Sequence, residues 1–266
     1  VVFRLHDSGS SFFDFLSSQH PQNVPTFSRD ELAATPSGWS SVPHGTTVLA
    51  LRFNNGVLIA GDRMATEGYS VSVRKMDKVF KTDEFSAIAI AGAAGPAIEM
   101  SRLFQTELEH YEKLEGISLT TEGKANKLAQ MIRSNLPMAF QGLVVVPIFV
   151  SYDHQKEKGR IFKYDITGGR YEETEFFATG SGGKDARNIL KTRYQADLEE
   201  SEALRIAVDA LINAAEEDIG TGGPDPIRGI YPTVKIITRQ GTTDVEESKI
   251  IAAYNELIGQ KRKGAS

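Results

Sequence analysis

The stretch HGTTVLALRFNNGVLIAGDR, residues 44–63, decides how the chain is read. Thr47–Phe53 and Val57–Asp62 are dense in aliphatic and β-branched residues and flank Asn54-Asn55-Gly56, whose Asn-Gly pair favours the positive φ angles of a tight hairpin. They predict the first hairpin of a sheet. The 45 residues up to Gly45 have another character, rich in Ser, Pro, Asn and Gln with isolated aromatics at Phe12, Phe13, Phe15 and Trp39, and no sustained period. They read as a weakly structured leader docked by its aromatic anchors, the alternative being an ordinary flexible tail. The change in texture falls at Gly45-Thr46.

Working downstream, Val79–Thr82 and Phe85–Gly92 flank Asp83-Glu84 as a second hairpin, with Phe85, Ala87 and Ala89 in apolar alternation. Pro96, suited to a first helical turn, opens an amphipathic helix carrying Met100, Leu103, Phe104, Leu108 and Tyr111 on one side. A second helix is predicted from Thr121 to Leu136, ended by Pro137. Leu143–Asp153, Gly159–Asp165 and Tyr171–Ala178 read as three strands, with Thr167-Gly168-Gly169 as a turn. Lys184–Tyr194 and Glu200–Ile219 are again helical. Ile230–Arg239 and Thr242–Val245 form a last hairpin around Gln240-Gly241, and Glu246–Ile258 a closing helix, with Lys261-Arg262-Lys263 as a solvated tail. Blocks of strands alternate with pairs of helices, which argues against a doubly wound parallel sheet. The expected class is α+β: a four-layer αββα sandwich of two antiparallel sheets flanked by helices.

Composition narrows the function. The 266 residues are 40% hydrophobic, enough for one large domain with a substantial core, and a net charge of -5 with interspersed signs provides no broad basic surface for nucleic acid. There is no cysteine, hence no disulfide, thiolate ligand or cysteine nucleophile, which suits a cytoplasmic location. His6, His20, His44, His110 and His154 are scattered without i, i+4 spacing, which argues against a metal site. The apolar runs at Leu143–Val150 and Val57–Ala60 fall well short of the roughly 20 residues that span a bilayer. No basic region followed by an apolar stretch opens the chain, so no secretory signal is expected; it begins at Val1, and a few native residues are expected to precede it.

Thr179-Gly180-Ser181-Gly182-Gly183-Lys184-Asp185 invites three readings that fail residue by residue. A phosphate loop would need Gly where Ala178 stands and Ser or Thr where Asp185 stands, a dinucleotide fingerprint would need Gly at 185, and a serine-hydrolase elbow Gly at 179. A glycine-rich strand-to-helix turn remains. A Gly-Thr pair alone says little; here it coincides with the texture boundary, with Asp62 sixteen and Lys78 thirty-two residues after Thr46.

Together, Thr46-Thr47-Val48, Gly61-Asp62-Arg63, Lys78-Val79-Phe80, Ala91-Gly92-Ala93-Ala94-Gly95, Gly180-Ser181-Gly182 and the later Asp218 with Thr221 resemble the proteasome β-subunit family. The likeness runs from Thr46 to Ile258; the length and leader most resemble the actinobacterial type. Thr221 departs from the family, many members of which carry Ser there.

The resemblance implies a threonine endopeptidase of the amino-terminal-nucleophile type: residues 1–45 a propeptide removed by self-cleavage at Gly45-Thr46, residues 46–266 the catalytic domain. Thr46 would be the nucleophile, with its released α-amino group as base. Lys78 would favour the neutral amine and assist the proton relay, Asp62 would hold Lys78, and the Gly92 N–H would stabilise the oxyanion. Ser181, Asp218 and Thr221 would orient the amine and its water. Ala65, Met76, Ile90, Ala94 and Ile98 would line the substrate pocket, favouring apolar or aromatic residues before the scissile bond. Implied partners are α subunits, copies of this chain in heptameric rings, a ring ATPase and unfolded protein substrates, with no cofactor, metal, nucleic acid or membrane. A non-cleaving ring subunit and another amino-terminal-nucleophile amidase are the alternatives.

Overall fold

In the computed structural model the described residues are 45–67 and 70–264. The leader reading, with its aromatic anchors, therefore lies outside them except for Gly45.

Two five-stranded antiparallel sheets organise the chain. The first contains β1 (Thr47–Phe53), β2 (Gly56–Gly61), β10 (Phe176–Gly180), β11 (Thr233–Thr238) and β12 (Gly241–Asp244), in the order β10-β1-β2-β11-β12. The second contains β5 (Val79–Asp83), β6 (Ser86–Gly92), β7 (Val145–Asp153), β8 (Lys158–Tyr164) and β9 (Arg170–Glu173), in sequence order. β3 (Ala65–Glu67) and β4 (Ser70–Val73) pair as a separate ribbon. The helices are α1 (Ala94–Glu115), α2 (Thr121–Ser134), the short α3 (Leu136–Phe140), α4 (Gly183–Arg193), α5 (Glu200–Glu217) and α6 (Glu247–Gly264).

The two-residue period of the strands builds the layers, because alternate side chains leave a strand on opposite faces. Val48, Ala50, Val57 and Ile59 point from the first sheet toward Ala87, Ala89, Ala91, Ile148, Val150 and Ile161 of the second, closing the inter-sheet core. Their neighbours Leu49, Leu51, Leu58 and Ala60 pack outward on Ala207, Leu211 and Ala214 of α5 and on Ala186 and Leu190 of α4. Ile88, Ile90, Phe149 and Phe162 pack outward on Met100, Phe104 and Leu108 of α1 and on Leu128 and Ile132 of α2. Three apolar interfaces separate four layers, as the alternation of strand and helix blocks predicts. Among the described residues no helix is long and apolar enough to cross a membrane.

Several local expectations change. The first hairpin turns at Asn54-Asn55, with Phe53 paired to Gly56, and neither asparagine nor Gly56 has a positive φ. Gly56 serves a different need: a Cβ there would lie 2.2 Å from Ile237 O on the neighbouring β11. The Tyr171–Ala178 stretch bends at Thr174-Glu175 and supplies two strands, β9 at the edge of the second sheet and β10 at the edge of the first. Periodicity reports a strand but not the sheet it joins. Pro137 ends no helix; α2 stops at Ser134, and Pro137 sits in the first turn of α3, where its missing N–H costs no intrahelical bond. Leu103 is half exposed at the margin of the Met100, Phe104, Leu108 stripe. The Lys261-Arg262-Lys263 cluster lies in the last turn of α6, where Lys261 pairs with Glu216 at 2.8 Å.

Because the Gly56 contact is with backbone of a central strand, neither partner can rotate away. Gly56→Ala is expected to destabilise the domain by about 3 kcal/mol, read from the urea unfolding midpoint.

Candidate active site

Strand register brings the site together. Val48 pairs with Gly61 and Thr47 with Gly180, so the start of β1 lies between the ends of β2 and β10. Thr46 and Thr47 thereby face Asp62 on one side and Ser181 on the other: Asp62 N donates to Thr47 O at 3.0 Å and Ser181 N to Thr46 O at 2.9 Å. Gly180 permits this approach, with φ at +102° and only 1.8 Å between an added Cβ and Thr46 O. From the second sheet, Lys78 immediately precedes β5 and Gly92 ends β6. Asp218 caps α5 and leads into the 218–222 loop.

Thr46 is buried, and its hydroxyl donates to Gly45 O at 2.7 Å. The same carbonyl accepts from Lys78 Nζ at 3.1 Å. Lys78 Nζ also donates to Asp62 Oδ1 at 2.7 Å and to Met64 O at 2.5 Å, so all three ammonium protons have acceptors. Asp62 is equally complete: Oδ1 accepts from Lys78 and from Thr47 N at 2.8 Å, and Oδ2 from Met64 N and Gly222 N, each at 3.0 Å. Both side chains of this ion pair are almost wholly removed from solvent.

A chain of hydroxyls completes the other flank. Thr46 N–H donates to Ser181 Oγ at 3.2 Å, and Ser181 Oγ donates to Asp218 Oδ2. Thr221 Oγ1 donates to the same oxygen at 2.6 Å. With the Thr221 proton spent there, the 2.6 Å contact between the Thr47 and Thr221 hydroxyls requires Thr47 to donate, while Thr47 Oγ1 accepts from Gly182 N at 3.1 Å. Asp218 therefore receives two hydroxyl chains, from Thr46 N–H through Ser181 and from Thr47 through Thr221. Sequence reasoning missed Thr47, together with the carbonyl of Met64 and the amide of Gly222. Their roles run through backbone atoms or through a threonine that reads as strand, so only the adjacency of Thr47 to Thr46 could have marked it.

A cavity opens beside Gly45 and Thr46, lined by Ala65, Met76, Phe80, Ile90, Gly92, Ala94 and Ala97. Ile98 lines the adjacent groove with Arg102 and Gln105, and Ala97 occupies the wall in its place, one helical step earlier. Asp77 also borders the cavity, its carboxylate tied to Arg63 Nη2 at 2.9 Å. Gly92 has φ at +125° and brings its backbone against Val144, where a Cβ would meet the carbonyl oxygen at 2.0 Å. Among the described residues no cluster of three metal-ligating side chains forms.

Burial is the largest influence on Lys78 and lowers its pKa from the ordinary 10.5, against the opposing attraction of Asp62 and then Asp218. Between the lowered value and 10.5 the unfolded chain holds a proton that the folded chain has released, so this group makes folding more favourable as pH rises through that window. Titration of ¹³Cε-labelled lysine by NMR is expected to show Lys78 below the ordinary 10.5. Asp62→Asn removes the strongest opposing attraction and is expected to move Lys78 lower still; an upward shift would contradict the assignment.

The model of the family described as proteasome subunit matches residues 42–226. A protein of Acidimicrobium ferrooxidans named proteasome subunit beta is 52% identical over 252 residues, covering 95% of this chain and 90% of the relative. The proteasome subunit beta of Streptomyces griseus is 53% identical over 255 residues with the same coverages. That of Jonesia denitrificans is 48% identical over 254 residues, covering 96% of this chain and 83% of the relative. With two helix-flanked antiparallel sheets and matches along nearly its whole length, the chain belongs to the proteasome β-subunit family.

Proposed function

We propose that the chain is a threonine endopeptidase subunit of a proteasome core, made with a propeptide that Thr46 itself removes. One observation carries the reading: a threonine hydroxyl and a buried lysine ammonium meet at the carbonyl of the residue before that threonine, at 2.7 and 3.1 Å.

The chemistry follows from those atoms. Thr46 Oγ forms a bond to the Gly45 carbonyl carbon as its proton leaves, and the negative charge gathers on Gly45 O beside Lys78 Nζ. The Gly45–Thr46 C–N bond then breaks with a proton passing to nitrogen, which leaves Gly45 as an ester on Thr46 Oγ. Water hydrolyses the ester, freeing the Gly45 carboxylate and the Thr46 hydroxyl and α-amino group. That amine has a reference pKa of about 7.7–8.0, and a neighbouring cation lowers it further. It is then a base for its own hydroxyl, held by Ser181 through the bond its N–H already makes. Asp62 and Asp218 supply fixed negative charge on either side. Gly92, at the cavity rim, is the donor proposed for the oxyanion of a peptide substrate.

By family, the subunit works in seven-membered rings of its own copies, stacked with α-subunit rings and fed unfolded proteins by a ring ATPase in the cytoplasm. Symmetric closure of this kind encloses a chamber.

Intact-mass measurement of the assembled protein is expected to find a subunit beginning at Thr46, and Thr46→Ala is expected to retain its leader. Loss of the leader at this bond from the alanine variant, without added protease, would defeat the self-cleavage reading. With a fluorogenic peptide series, kcat/KM is expected to be highest after apolar and aromatic residues, because the Ala65, Met76, Phe80, Ile90 and Ala94 wall cannot compensate a desolvated charge. Faster hydrolysis after Arg or Glu would overturn that specificity.

A further inference from the structure

Gly45 is buried, and the space around it is what requires glycine there. A Cβ on Gly45 would lie 2.4 Å from Gly220 O, 2.5 Å from Gly220 Cα and 2.7 Å from Thr66 Oγ1. The contact is reciprocal: a Cβ on Gly220, a residue without a positive φ, would lie 2.7 Å from Gly45 Cα and 3.0 Å from Ser181 Oγ. The threonine hydroxyl can rotate, but the Gly220 backbone cannot retreat. Gly220 N donates to Asp218 Oδ1 at 3.2 Å, Thr221 N to Asp218 O at 3.1 Å and Gly222 N to Asp62 Oδ2 at 3.0 Å. The wall against Gly45 is pinned by two of the acidic groups of the site.

A second observation separates this contact from peptide binding. Gly45 sits with its Cα against Gly220 and its carbonyl toward Lys78, whereas the cavity for a side chain opens toward Met76, Ile90 and Ala94.

We propose that Gly220 is a specificity-determining positioning residue for leader removal alone: its backbone admits only glycine at position 45, and it has no role in peptide hydrolysis once residues 1–45 are gone. The inference deepens the self-cleavage reading and rests on it. After cleavage the space facing Gly220 is vacated, and the remaining neighbours of an added Cβ are Ser181 Oγ at 3.0 Å and Asp218 Oδ1 at 3.4 Å.

The test follows leader removal over time by intact mass, and peptide hydrolysis by leaderless subunits whose Thr46 is exposed by removal of an amino-terminal fusion. Full-length Gly220→Ala is expected to lose its leader at least about tenfold more slowly than wild type, since small displacements of a reacting carbonyl carry large rate costs. Leaderless Gly220→Ala is expected to keep kcat/KM within about threefold of leaderless wild type. Gly45→Ala, which changes the same contact from the other side and leaves an unaltered mature chain, is expected to slow leader removal similarly. Wild-type maturation by either variant overturns the inference, as does an equal loss of peptide hydrolysis in leaderless Gly220→Ala. A Thr46→Ala chain that sheds its leader identifies instead a failure of the self-cleavage reading beneath it.

Discussion

The carboxylate of Asp62 is the constraint on which the rest of the site depends. It is buried, and its four hydrogen bonds come from four separate places: the start of β1 at Thr47, its own turn at Met64, the strand-leading Lys78 of the other sheet, and the 218–222 loop at Gly222. A buried charge is tolerated only when its lone pairs are satisfied and a counter-charge is close. Those demands tie both sheets and the loop after α5 to one point. Moving any of these segments away would leave an unpaired charge in a dry interior, so the geometry around Thr46 is maintained by the cost of disrupting it.

A second buried cation at the other end of the sandwich shows what is particular about Lys78. Arg160 is held by Asp153, Glu122 and Glu172 and lies over Phe162. Hydrogen bonding to Glu172 is the largest influence on it and pushes its pKa well above the usual arginine range, so it stays charged and serves as a structural tie. At Lys78 the balance falls the other way, burial outweighing one carboxylate partner. The contrast follows from counter-charge: three acids around a guanidinium lock the proton in place, whereas one acid and two carbonyls around an ammonium leave it within reach of titration. Lys78 Nζ and the Thr46 hydroxyl converge on the same acceptor, Gly45 O.

The glycines near the site are explained by close approach more than by turning. Gly180 and Gly182 let the end of β10 press on Thr46 and Thr47, a Cβ at Gly182 lying 2.6 Å from Thr47 Oγ1. The loop that superficially invites a phosphate-binding reading is a backbone surface shaped to fit two threonines. The same logic governs the opposed pair Gly45 and Gly220. In each case the missing side chain sets how near two backbones come, and hence where a reacting or orienting atom lies.

Much of this was legible in the linear chain. Alternating apolar residues in β1, β2, β6 and β7 and helical stripes in α1 and α5 determine two-faced strands and one-faced helices, and these pack as four layers because each apolar face must be covered. The set Thr46, Asp62, Lys78, Gly92, Ser181 and Asp218 was legible only through the resemblance to the proteasome β-subunit family, because taken singly each reads as an ordinary strand, turn or surface residue. The tertiary structure alone decided which sheet the two halves of Tyr171–Ala178 join, that Ala97 takes the place expected of Ile98, that Thr47 completes the hydroxyl chain to Asp218, and that Gly45 meets Gly220. The physical reason is common to all four. Periodicity records which way a side chain points from its own element, whereas these features depend on the distance between atoms remote in sequence, up to 175 residues apart for Gly45 and Gly220.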